Sequence, residues 1–325
     1  MTTTFMLRGV ALGLAWFLLL NLVASALIAR IAGALVARGT SRSAACWFGL
    51  RIFPAAMAAA FVAVVFAPSY VMYEPREYGE GFDVSLAMLA IAAAAVIAAA
   101  GLRGIAAWWR ASRRVRSWMR TAEPMAVPGA DMPAYVIDVD APLMALAGIW
   151  RPRLIVARGL VGALTPEELA ASVAHEAGHR RSWDNLKRLA MRAAPDLLPA
   201  TAAARTLERR WASAAEHTAD RVAGRDSTDA RCALASALVK VARLTPRPAV
   251  DVVYGEPIST FVGGGEIVSR VERLLDDHAL ATSTRRASAR RWMGAAGLIV
   301  AAGAGYAPLL RAVHVATEIL VHTLP

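Results

Sequence analysis

The sequence predicts a mainly α membrane protein, with four transmembrane helices and a cytoplasmic α+β domain inserted between the third and the fourth. Three observations predict this. Residues 9–29, 52–73, 84–102 and 292–310 are uncharged apolar runs, each close to the ~20 residues a helix needs to cross ~30 Å of hydrocarbon. Basic residues gather in segments that one alternating topology puts on the same side. Between the third and fourth runs lie two short strand-like stretches and several helices with start and stop signals. The composition agrees, since 57% hydrophobic residues and a mean hydropathy of +0.44 are too apolar for a soluble domain of this size.

The first run follows a single Arg8, a thin basic lead for a signal peptide, and further runs come after it, so it reads as an uncleaved helix. The segment after it carries Arg38 and Arg42. The segment after the third run carries Arg110, Arg113, Arg114, Arg116 and Arg120, and the one before the fourth carries Arg285, Arg286, Arg290 and Arg291. The loop between the second and third runs instead holds Glu74, Glu77, Glu80 and Asp83 against Arg76. By the positive-inside rule that loop and the N-terminus are outside, and residues from about 109 to 291 are cytoplasmic. Trp108, Trp109 and Trp292 then fall at the inner interface, and Tyr70 and Tyr73 at the outer one. This placement accounts for the formal charge of +11 without a nucleic-acid partner; the expected surroundings are a cell-membrane bilayer crossed several times. Cys46 and Cys232 follow no ligand spacing and read as free thiols in a reducing compartment. No acidic side chain falls inside any run, which argues against a transporter or proton relay.

Three units follow: spans within 1–110, the cytoplasmic domain at 111–291, and the last span with a short tail at 292–325. Residues 109–120 read either as a juxtamembrane helix on anionic lipid or as a solvated extension of the third span. Pro124, Pro128, Gly129 and Pro133 mark a linker. Residues 135–139 and 153–157 read as strands. Thr165, Pro166 and Glu168 form a helix start with a capping box, and that helix is expected to run to about 194, where Pro195 stops it. Further helices are expected over 206–223, 228–244 and 266–278. Gly263, Gly264 and Gly265, with no Lys-Ser or Lys-Thr after them, read as a flexible loop rather than a phosphate cradle.

The chemistry is concentrated at His175-Glu176-Ala177-Gly178-His179, which matches the zinc-peptidase signature H-E-x-x-H. Two imidazoles four positions apart share one helix face and can grip one zinc ion, while the glutamate between them is placed to handle protons. A catalytic zinc needs a third protein ligand. Glu216 is the candidate, in Glu216-His217-Thr218-Ala219-Asp220, where Asp220 on the same face can accept the free N–H of a ligand histidine. Ala212, Ala215, Ala219 and Ala223 would let this helix approach the histidine helix closely. His217 points ~100° away and reads as structural; His278, His314 and His322 are not assigned to the site.

These residues carry a resemblance. His175 to Asp184 with Glu216 to Asp220 read as H-E-x-x-H-x(4)-D followed by E-x-x-x-D, similar to the zincin-like gluzincin membrane peptidases. Two branches are close: the peptidase domain of the BlaR/MecR sensor-transducers, and the HtpX and CAAX prenyl protease type. Residues 148–156 and 271–275 resemble the first branch, as does the order of three spans, a cytoplasmic zinc domain and a fourth span. That branch continues into an extracellular sensor domain, whereas this sequence stops at Pro325 soon after its last run, so antibiotic sensing is not expected of it. Residues 142–145 lack the Asn-Ala-Phe stretch of the HtpX type, which ranks second. The expectation is a membrane-bound zinc endopeptidase with one Zn2+ per chain, acting on a protein or peptide at the cytoplasmic face, with room for a separate sensor partner. Glu176 is its catalytic base, His175, His179 and Glu216 its metal ligands, and Asp220 the histidine's partner. The strand at 153–157 is expected to pair with the substrate. The alternative is a non-catalytic membrane signalling or scaffold protein whose zinc is structural.

Overall fold

The computed structural model describes residues 3–75, 83–127, 130–139, 142–224, 227–244, 258–261, 267–276 and 305–321. Among the described residues, three helices are long and apolar enough to cross a membrane. They are α1 (Thr3–Ala37), α2 (Ala44–Phe61) continued through a π-helical turn into α3 (Ala67–Tyr73), and α4 (Val84–Trp118). Ser43 caps α2 at Cys46 N, and Asp83 caps α4 at Ser85 N. Most of the expected fourth run, residues 292–304, lies outside the described residues. A helix α11 at 305–321 is described. Ser69 Oγ donates to its Leu310 carbonyl at 2.6 Å, and Trp16 Nε1 donates to its Thr317 Oγ1 at 3.0 Å.

α4 continues unbroken through 109–118, so the juxtamembrane segment is an extension of the third long helix rather than a separate one. Its end has a packing role. Ala111, Val115 and Trp118 cover Ala145, Ile258, Ile137, Ala147 and Ile155 on one face of a five-stranded sheet. The strands are β1 (Glu123–Met125), β2 (Ala134–Ile137), β3 (Met144–Ala147), β4 (Arg153–Ala157) and β5 (Ile258–Thr260), in the order β1-β2-β4-β3-β5. Only β2 and β4 run parallel. Met144, Leu146, Leu154 and Val156 turn to the other face, onto α6 (Pro166–Arg181) and α9 (Thr228–Leu244). A short α5 (Arg158–Ala163) joins β4 to α6.

β1 lies in the expected linker; Pro124 is tolerated because β1 is an edge strand of the sheet that the described residues form. β3 and β5 were hidden in passages read as turn or loop, since three or four residues with no period carry no strand signal. β4 is interior, hydrogen-bonded to β2 and β3, so it has no edge to offer a substrate. The histidine helix does not reach residue 194 unbroken. It stops at Ser182, Trp183 takes the left-handed conformation (φ 54°), and α7 (Asp184–Ala193) starts afresh.

The α+β unit does not hang from a linker. The connection from α7 to α8 (Ala202–Ala223) pushes between the long helices. Asn21, buried in α1, donates to the Pro195 carbonyl at 2.7 Å and accepts Leu197 N–H at 3.3 Å. Arg51, just ahead of the expected second span, is buried against Asp196 (2.7 Å), Glu208 (3.2 Å) and the Met191 carbonyl (2.8 Å). Ile28, Ala32 and Trp47 pack with Met191, Leu198, Leu207 and Trp211. One continuous core thus fixes α7 and α8 to the long helices.

Candidate metal centre

The centre is built on α6. Its capping box forms as expected: Thr165 N–H donates to Glu168 Oε2 at 2.8 Å and Glu168 N–H to Thr165 Oγ1 at 3.3 Å. Glu168 also accepts from Ser236 Oγ (2.6 Å) and Lys240 Nζ (2.8 Å), which ties the helix start to α9. Three turns on, His175, Glu176 and His179 are fully buried, and the two Nε2 atoms lie 3.2 Å apart.

α8 crosses α6 at Gly178. A Cβ there would stand 3.0 Å from Ala219 Cα, so the two helices meet almost backbone to backbone. This approach brings Glu216 to the histidines, with Oε2 3.4 Å from His175 Nε2 and Oε1 3.5 Å from His179 Nε2. His175, His179 and Glu216 each offer one ligand atom within 4.8 Å of the others. Asp220, one turn beyond Glu216, lies 2.9 Å from His175 Nδ1 through Oδ1.

Two further residues complete the cluster, and sequence reasoning assigned neither. Asp184, the first residue of α7, accepts from His179 Nδ1 at 2.8 Å. Its helix is pinned by Asn185, whose Nδ2 donates to the carbonyls of Leu146 and Gly148 at 2.9 Å each. Asp184 stood in the motif as its terminal Asp, and that was the available signal. Arg270, buried on α10 (Ile267–Leu275), donates through Nη2 and Nε to Asp220 at 2.6 and 2.9 Å and through Nη1 to the Phe261 carbonyl at 3.1 Å. Its Nη1 also lies 3.1 Å from Glu216 Oε2, though without hydrogen-bond alignment. The sequence pointed to residues 271–275; the buried arginine sits immediately before them. His217 faces away and meets Ser213 Oγ at 3.3 Å. His314 lies beside Glu74, and His278 and His322 lie outside the described residues.

The electrostatics follow from burial and pairing. Burial disfavours charge on both imidazoles, yet their carboxylate partners outweigh it. His175 is raised by Asp220 and Glu216, and His179 is raised to about 10 by Glu216 and Asp184. Burial would lift Glu216, but His179 and Arg270 hold it well below the usual carboxylate value. Glu176 has the opposite fate. Both its oxygens are buried with no hydrogen-bond partner among the described residues, and burial pushes it up to about 7 against the pull of the two histidines.

The residues present fit a divalent metal. Asp184 holds His179 Nδ1 and Asp220 lies beside His175 Nδ1, so both Nε2 atoms face Glu216 and are the positions that give up a proton to a metal; two nitrogens with one carboxylate are a donor set suited to zinc.

The model of peptidase family M48 matches residues 109–283, more than half of the chain. The chain belongs to peptidase family M48. It is therefore a metallopeptidase by family, and so a hydrolase. Of the two branches the sequence resembled, the one found is the HtpX and CAAX prenyl protease type, ranked second because residues 142–145, which run into β3, lack the Asn-Ala-Phe stretch. No curated protein matches the chain. The M48 match spans the end of α4, the sheet, the centre and α10.

Proposed function

We propose that this M48 chain is a membrane-bound zinc endopeptidase that cleaves a protein substrate at the cytoplasmic membrane face. Glu176 carries the reading. A carboxylate with both oxygens buried and unbonded has no structural use and is costly to hold there. Its place between two histidines that converge on Glu216 suits a proton carrier.

His175, His179 and Glu216 would hold the ion, with Asp220 and Asp184 fixing the histidine tautomers. When bound, zinc supplies a Lewis acid that polarises a carbonyl and makes water more acidic. Glu176 takes the proton of the attacking water on a carboxylate oxygen and returns it to the leaving amine nitrogen. A cavity of about 280 Å3 reaches His179 and Asp184, flanked by Trp150 and Trp183, and offers a path for peptide side chains. Because β4 is interior, β-addition of an extended substrate is assigned to β5, an edge of the described sheet. The residue after it, Phe261, packs edge-on against His175 at 5.3 Å.

The arginine asymmetry of the sequence and three helices long enough to span support the membrane topology. A reporter fused after Arg120 should report a cytoplasmic location. Comparing the new protein N-termini in cells with wild type and with Glu176→Gln should show a set that disappears in the variant. If the variant keeps its zinc and the set is unchanged, the chain is a scaffold with a structural ion, not a peptidase.

A further inference from the structure

A second polar cavity, of about 570 Å3, lies behind the metal centre, on the face of α8 that carries Arg210, Ser213, His217 and Arg221. Spacings of three, four and four put these side chains in one row, ~100° round the helix from Glu216. The loop joining α1 to α2 contributes Arg42 and Ser41, and α10 contributes Arg273, one turn beyond Arg270. Among the described residues, four arginines line the cavity and no carboxylate does. Arg42, Arg210 and Arg221 are exposed, and no ion pair or side-chain hydrogen bond joins them to another described residue.

Converging guanidinium groups repel one another unless an anion lies between them. Planar forks with hydroxyl donors beside them match phosphate oxygens better than any neutral group. The position narrows the source. One wall is the turn between two helices that are each long enough to cross a membrane, the level at which lipid headgroups lie.

We propose that this cavity binds a phosphate group, that of an anionic phospholipid headgroup. An occupant bridges the α1–α2 loop to α8 and α10, the helices that carry Glu216 and Arg270. Lipid charge is thereby coupled to the rigidity of the metal centre from its far side. The inference needs helices that cross a bilayer, and it does not depend on peptide cleavage.

The test uses the full chain in a nonionic detergent, with thermal unfolding and native mass spectrometry as readouts. Phosphatidylglycerol should raise Tm saturably and remain bound, while phosphatidylcholine should do neither. The triple variant Arg42→Gln, Arg210→Gln, Arg221→Gln should bind phosphatidylglycerol about 100-fold more weakly, with unchanged metal content. Arg42→Gln alone, in a loop outside the helices, should weaken it about fivefold. Inorganic pyrophosphate is the second probe. Stabilisation by pyrophosphate equal to that by the lipid supports a phosphate site but overturns the lipid assignment. An undiminished phosphatidylglycerol response in the triple variant overturns the site.

Discussion

His179 Nδ1 lies 2.8 Å from Asp184 Oδ2 across a break between two helices. In one unbroken helix these residues, five apart, would point ~140° away from each other. The left-handed Trp183 closes that gap by reversing the chain for one residue, at a cost of ~1–2 kcal/mol. Asp184→Ala should keep the fold and lower metal affinity by about 10–100-fold, as measured by competition with a chromogenic chelator. Unchanged affinity would remove Asp184 from the centre.

Glu176→Gln should abolish peptidase activity while leaving the metal in place. It should also change stability with pH in a definite sense. In the metal-free protein Glu176 sits at about 7 against an ordinary 4.5. The unfolded chain therefore loses this proton first, and native stability falls as pH rises from about 4.5 to 7. Glutamine has no proton to lose. The variant should thus gain on wild type across that window and level off above it, at about 3 kcal/mol, as read from urea midpoints with chelator present. A constant difference at all pH values would contradict the burial argument.

Metal loading should release protons. Ligand imidazoles must present a bare nitrogen, yet His179 holds its proton up to about 10 in the metal-free cluster. At pH 7.5, calorimetric zinc titrations in buffers of different ionisation heat should give apparent enthalpies that reveal about one proton expelled per ion. Buffer-independent heats would mean that the histidines are already neutral.

Gly178→Ala should damage the centre without touching a ligand. The added methyl meets the backbone of Ala219 at 3.0 Å, and a backbone cannot turn aside. α8 must shift outward and take Glu216 with it. A loss of about 1–3 kcal/mol is expected from the overpacking, with weaker metal binding measured in the same samples. The larger Gly178→Val should be worse in both.

Arg270→Ala should be the most disruptive single change at the centre. It takes the guanidinium away from buried Glu216 and Asp220 and leaves them to the histidines alone, and breaking a comparable buried pair costs about 3–5 kcal/mol. Arg270→Lys keeps the charge but cannot reach Asp220 with two donors and the Phe261 carbonyl with a third, so it should recover only part of the stability. Thermal unfolding of both variants decides the point.

Much of the centre was legible because it is periodic. His175 and His179, like Glu216 and Asp220, stand four apart, and any helix that includes such a pair turns both members to one side. The capping box at Thr165 and Glu168, the alanine row on α8 and the apolar runs are likewise local, and α9 formed over the residues its pattern marked. β3 and β5 were not legible, since a few residues buried among neighbours distant in sequence carry no period of their own.

By itself, then, the sequence determined which side chains share a helix face, where α6 starts, and which segments are apolar enough for a bilayer. Only the tertiary structure decided that Asp184 turns back to His179, that Arg270 enters from α10, and that Asn21 and Arg51 grip the α7–α8 connection. The physical reason is one of range. Helical register is set by backbone hydrogen bonds four residues apart, whereas a buried charge selects its partner from whatever chain the packing brings within about 3 Å.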